Sequence, residues 1–250
     1  MENKKIAAIM LIIAITLSAV GIVYAHWSDT ATINGNIQMG TLTLAFTTTE
    51  DPSADEYYHN PTPPPVWKKG DIHGGEFEGK DVGSCSAKYA DLITDVHTGK
   101  EGYKTLVIDI DNAYPQYAVH TTFIAHNIGT VPLFEYGLTL VGEKQDHTGA
   151  HIYNLILDSW INTTSGHIEG DIYEDVDNSG TVTAGDILVM NVQVVDTLYP
   201  LQIDPCKSEK QEIDIDFKQE AEMCHTYLLT FSLLAVQWNK ISEIPLTYKS

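Results

Sequence analysis

Between residues 105 and 126 the chain alternates in a period of two. Leu106, Ile108 and Ile110 are interleaved with Val107, Asp109 and Asp111, and Pro115 then breaks the run. Tyr117, Val119, Thr121, Phe123 and Ala125 follow on one face, with His120, Thr122 and His126 on the other. Alternation of this kind predicts strands with one buried side. The segment Asn127-Ile128-Gly129-Thr130-Val131-Pro132 reads as a turn, and 133–141 as the next strand. Near the end, Ile213, Ile215 and Phe217 alternate with charged residues, and Tyr227, Leu229, Phe231, Leu233 and Ala235 form a wholly apolar face. Two stretches break the pattern. Residues 47–69 carry four prolines between Pro61 and Pro65 and are expected to form a loop. Residues 70–100, rich in Gly and Asp, stay ambiguous.

Several strands, turn signals between them and hardly any helical period predict an all-β fold, an antiparallel β-sandwich with long loops. The exception lies at the start. Residues 6–23, IAAIMLIIAITLSAVGIV, are uncharged, follow Lys4 and Lys5, and run into Val23-Tyr24-Ala25. A basic region, an apolar helix-forming run and small residues at −3 and −1 read as a secretory signal spanning 1–25, removed by signal peptidase after Ala25. An uncleaved anchor is the competing reading, since the run only reaches the lower limit for a membrane span. Either way the chain is expected outside the cytoplasm. Residues 26–39 then form a short leading segment, and 40–250 one β domain.

Composition narrows the function classes. The formal charge is −20, and losing Glu2, Lys4 and Lys5 with the signal takes it to −21. There is no arginine, and the lysines are scattered. A nucleic-acid partner would need a basic face, so none is expected. The acidic exterior fits solubility, cation binding, or self-repulsion that cations screen.

One motif carries chemistry. Residues 175–186, DVDNSGTVTAGD, fit the twelve-residue calcium loop D-x-D-x-[DNS]-G-x5-[DE]. Ca²⁺ takes six to eight hard oxygens, and alternate residues of a tight turn aim inward. Asp175, Asp177 and Ser179 would supply side chains, Thr181 its carbonyl, and Asp186 the closing carboxylate, with Gly180 permitting the bend. The loop is read as an insertion near 171–195. Whether residues 187–195 continue as helix, as in dockerin-type loops, or as the strand their valines favour is open at this stage. The ten histidines form no HExxH pair, and no G-x-S-x-G or phosphate loop occurs. The chain is therefore read as non-enzymatic. Cys85, Cys206 and Cys224 lack zinc spacing, and in an exported chain a disulfide from Cys85 to either Cys206 or Cys224 is expected. Asn162-Thr163-Thr164 is a candidate N-glycosylation sequon.

The string AHWSDTATINGNIQMGTLTLAF, the passage NAYPQY…HNIGTVP, the turn QIDP and the ending FS…AVQWN together resemble the TasA/camelysin family, closest to its archaeal bundling-pilin branch. That resemblance implies a jelly-roll-like sandwich and a secreted subunit that homopolymerises into surface pili or biofilm-matrix fibres. It also implies assembly by donor-strand complementation. The donor would be residues 26–33, with Trp27, Ala31 and Ile33 on its apolar face, and Asn34-Gly35 a pivot. Two alternatives stand beside it: a calcium-stabilised monomeric surface binding protein, and a camelysin-like secreted metalloprotease.

Overall fold

The alternation at 105–111 becomes a strand whose Leu106, Ile108 and Ile110 are wholly buried while Asp109 and Asp111 face solvent. The computed structural model describes residues 40–60, 66–69, 83–115, 117–195, 198–243 and 247–249, all within the unit Gly40–Ser250. The expected signal, donor segment (Trp27, Ala31, Ile33) and pivot lie outside these residues. The described chain is all-β, with a single 3-10 stretch at Trp238–Glu243 and no α-helix. Among the described residues no helix is long and apolar enough to cross a membrane.

The strands are β1 (Leu44–Phe46), β2 (Ser53–Asn60), β3 (Val66–Lys69), β4 (Ser84–Thr94), β5 (Glu101–Asp111), β6 (Tyr117–Asn127) and β7 (Leu133–Gln145). They continue with β8 (His151–Asn162), β9 (Ile168–Asp175), β10 (Ile187–Val195), β11 (Leu201–Ile203), β12 (Ser208–Phe217), β13 (Thr226–Gln237) and β14 (Tyr248–Lys249). Pairing runs β1-β5-β13-β7-β8-β9-β10-β12-β6 and returns from β6 to β1, closing a nine-strand antiparallel ring. The all-β expectation holds, but the expected jelly-roll-like β-sandwich is corrected to a closed barrel: both faces belong to one sheet that hydrogen-bonds back to its start. β2 and β3 extend from β6, β4 from β5, β11 from β7, and β14 runs parallel to β8.

The inward faces of β1, β5, β6, β9, β10, β12 and β13 fill the interior, from Phe46, Phe123 and Phe231 to Ile172, Met190 and Ile213. Burying each such side chain contributes on the order of 1.5–3 kcal/mol. Residues 47–69, expected as a loop, hold the β2–β3 hairpin, which adds to the edge of β6 through Ser53↔Thr122 to Tyr58↔Tyr117. The proline run at 61–65 lies outside the described residues. The ambiguous 70–100 region contributes β4, paired with the whole length of β5.

Ring closure rests on the chain's entry. Thr47 N donates to Ile124 O (3.0 Å), Ile128 N to Thr43 O (3.0 Å) and Thr130 N to Thr41 O (2.9 Å), so residues 41–47 zip along the end of β6 and its turn. A Cβ at Gly129 would lie 2.5 Å from Thr41 O, so this approach requires glycine. Phe46 stacks on Tyr89 (5.3 Å) and meets Phe123 edge-on (5.5 Å). Thr43 Oγ1 donates to buried Asp95 (2.7 Å), which also accepts from His97 N (3.0 Å), Thr98 N (2.9 Å) and Thr98 Oγ1 (3.1 Å). Burial pushes the Asp95 carboxyl up, but these hydrogen bonds outweigh it and hold the group well below the usual carboxylate range.

Candidate functional site

The calcium-loop motif is the tip of the β9–β10 hairpin. Asp175 ends β9 and Ile187 begins β10, so the flanking segments are ring strands rather than an insertion, and residues 187–195 are strand, not helix. The valines of β10 alternate inward, Val192 and Val194 being buried, which a helix would not allow on one sheet face.

The tip folds around its carboxylates. Asp175, 3% exposed, accepts from Ser179 N and Gly180 N, both at 2.9 Å. Asp177 accepts from Ser179 N (3.0 Å) and Thr183 Oγ1 (3.2 Å), and the Ser179 hydroxyl first, with these two bonds after it, draws its carboxyl below the ordinary value. Asp186 reaches back to Val176 N (3.1 Å) and Thr183 N (2.6 Å). Asn178 at φ 55° and Gly180 at φ 72° make the left-handed bend. Carboxylate oxygens of Asp175, Asp177 and Asp186 converge within 4.8 Å of one another. Ser179 Oγ lies 2.8 Å from Thr181 O. The motif thus brings its expected oxygen donors together on one bend, an all-oxygen set that suits a hard cation. No histidine joins this cluster.

Sequence reading missed the base of the hairpin. Lys144 on β7 is fully buried, with Nζ 2.8 Å from Glu174 Oε1 and 2.8 Å from Glu222 Oε2. Burial alone would lower the Lys144 pKa, yet the two carboxylates raise it, so the ammonium is kept charged. Tyr227 Oη also reaches Glu174 Oε1 (3.5 Å). This network fixes the residue next to Asp175. Nothing in the local pattern around Lys144 distinguishes it from a solvated lysine, because its partners are 30 and 78 positions away.

Beside the hairpin the ring opens. β7 and β8 pair only from Gly142↔Leu155 to Gln145↔His151. Beyond that, residues 136–141 of β7 and 156–160 of β8 have no ladder partner on their facing sides among the described residues. A groove of about 550 Å³ lies here, lined by Leu138, Leu140, Ile156 and Leu157, with Asp175 and Gly180 of the hairpin at one end. Asn154 Nδ2 ties β8 to Asn178 of the hairpin at 2.9 Å. At the other end β14 lies on the β7-facing side of β8, with Ile161 N donating to Thr247 O and Thr163 N to Lys249 O, both at 2.9 Å.

The remaining candidates are dispersed. Cys85, Cys206 and Cys224 are all free thiols, so the expected bridge from Cys85 is absent. Cys85 pairs with Ile110 and packs inward near the Tyr117 end of β6, whereas Cys206 N bonds Asn127 O at the opposite end. Ten residues of strand separate those ends, far beyond disulfide reach. Cys224 is exposed, while burial, first, and Glu56 push the Cys85 thiol up to about 12. Asn162 ends β8 with Nδ2 donating to Glu169 Oε1 (2.8 Å) and Oδ1 accepting from Thr164 N (2.8 Å), so a glycan there would leave Nδ2 one hydrogen for Glu169. His120, on the outward face of β6, has acidic neighbours: Nδ1 lies 2.5 Å from Asp214 and Nε2 3.5 Å from Glu212, and the Asp214 bond raises its pKa.

Comparison with known protein families, characterised proteins and solved structures yields no match to this chain.

Proposed function

We propose that the chain is an extracellular structural subunit that polymerises with copies of itself, each supplying a strand to the sheet of the next. The observation that carries this reading is the opening between β7 and β8, where two ring neighbours present facing backbone that has no ladder partner among the described residues, beside a groove that mixes Leu140, Ile156 and Leu157 with polar side chains. An edge of that kind gains both hydrogen bonds and burial when a strand enters. The same edge of β8 already accepts β14 from its own chain.

The donor is residues 26–33 of another copy. Trp27, Ala31 and Ile33 lie on one face of that segment by period two. Asp29 shares that face, so it sits at a wet edge of the groove or finds a partner. Burying Trp27 and Ile33 favours the joint by about 1.5–3 kcal/mol each before ordering costs. Signal removal after Ala25 frees the donor, and the resulting filament is a surface pilus or matrix fibre with a non-enzymatic role.

Calcium is the proposed cofactor, held by Asp175, Asp177, Ser179, the Thr181 carbonyl and Asp186, stiffening the hairpin that ends the groove. The same hairpin favours a second reading, a monomeric surface protein stabilised by calcium. Electron microscopy of mature protein against a version beginning at Asn36 separates the two. Filaments from the former and folded monomers from the latter support strand exchange. Filaments from the truncated chain contradict it.

A further inference from the structure

Glu135 is a fully buried carboxyl on β7, set between Leu201 of β11 and Ala235 of β13, both apolar at its register. Its polar neighbours are Gln211 of β12 and Tyr199, themselves buried. Tyr199 Oη donates to Gln211 Oε1 (2.7 Å), Gln211 Nε2 donates to Glu135 Oε2 (2.6 Å), and Tyr199 Oη and Glu135 Oε1 face each other at 3.4 Å. The three side chains make a closed triangle.

Counting hydrogens points to its state at acidic pH. The phenol has one hydrogen, committed to Gln211 at the shorter distance. The third side of the triangle then lacks a hydrogen unless Glu135 Oε1 carries it. With that proton present, each member donates once and accepts once around the ring. Reversing the Gln211 amide reverses the direction of the ring but leaves the same demand for a carboxyl proton. An ionised Glu135 would be a buried anion, and no cationic group among the described residues acts on it.

We propose that Glu135 is a neutral carboxylic acid in the native protein at acidic pH and that its ionisation is a pH-sensitive release of the contact joining β7, β12 and the Tyr199 segment. Burial, first, against the Gln211 and Tyr199 bonds, lifts its pKa to about 7 from an ordinary 4.5. Because the folded value is raised, the stabilisation is complete below the ordinary carboxyl pKa. It is lost as pH climbs to about 7, where the loss levels off. A lift of that size corresponds to a roughly 300-fold fall in the folding equilibrium constant across that window. Tyr199, raised by burial and by Glu135, stays protonated throughout.

The test is denaturant unfolding of the full mature chain from pH 4.5 to 8, for wild type, Glu135→Gln and Glu135→Leu. A glutamine reproduces the neutral acid, its amide donating toward Tyr199 while its carbonyl accepts from Gln211. The expected result is that Glu135→Gln removes the wild-type decline toward pH 7 and folds as well as wild type at low pH. Glu135→Leu should be less stable at every pH. Infrared difference spectra of wild type should contain a protonated-carboxyl stretch at pH 5 that fades by pH 8 and is missing in Glu135→Gln. A wild-type pH profile superimposable on that of Glu135→Gln, or no such stretch at pH 5, overturns the proposal.

Discussion

The ring is closed by its shortest strand and left open between two of its longest. β1 contributes three residues, yet residues 41–47 are zipped to β6 on one side, anchored to Asp95 on another, and capped by the wholly buried Phe46. β7 and β8 are 13 and 12 residues long but share only four register pairs before they separate. Strand length therefore does not decide closure here. Closure follows from side chains that seal the interior behind the ladder, as Phe46 does between Tyr89 and Phe123. At the β7–β8 seam the side chains leave a groove instead, and the facing backbone of residues 136–141 and 156–160 has no ladder partner among the described residues.

The contrast can be broken from the closed side first. Phe46→Ala should destabilise the domain by about 3–5 kcal/mol, the cost of a truncated core aromatic, read as a shift in denaturant midpoint with unchanged slope. Calcium should be felt at the other seam. Chelator should lower the melting temperature, by an amount corresponding to about 2.7 kcal/mol if calcium stands at a hundredfold over its dissociation constant. Asp177→Ala should abolish the difference between calcium and chelator, and hydrogen exchange should rise around the hairpin and β8 rather than along residues 41–47.

A smaller effect returns to the closed seam. The Asp95 pKa is depressed, so its stabilisation is present above the ordinary carboxylate range and lost as pH falls below about 4. Asp95→Asn should cost about 1–3 kcal/mol at neutral pH and flatten that acid limb. The smallest change in monomer stability belongs to the open seam. Ile161 N and Thr163 N point to the β7 side of β8, so by period two the Ser159 N–H points there as well. Ser159→Pro removes a donor that no described residue uses; circular dichroism should be almost unchanged while filaments fail to form.

What the sequence revealed follows the same division. The core strands were legible because Leu106, Ile108 and Ile110, or Ile213, Ile215 and Phe217, each bury one face and solvate the other. β2 was hidden because its Ser-Ala-Asp-Glu stretch is held by backbone pairing to β6 rather than by an apolar face. The role of β1 in closing the ring depends on Ala45 and Phe46 meeting residues 125 and 126, which no local pattern encodes. The acidic bend at 175–186 was legible as a motif, since its spacing brings the carboxylates of Asp175, Asp177 and Asp186 together. Its buried support was not: the Lys144–Glu174 pair is a long-range contact, and a lysine in a strand reads as solvated until the fold encloses it.

The central claim is that the seam between β7 and β8 receives a strand from another molecule. A photo-crosslinking residue placed at Leu157, in filaments grown from equal parts light and ¹⁵N-labelled subunits, tests it directly. Mass spectrometry should find Leu157 joined to peptides covering residues 26–33, with mixed light–heavy pairs as frequent as random mixing allows. Crosslinks confined to light–light and heavy–heavy pairs would mean that each chain fills its own groove, and the account of assembly would be wrong.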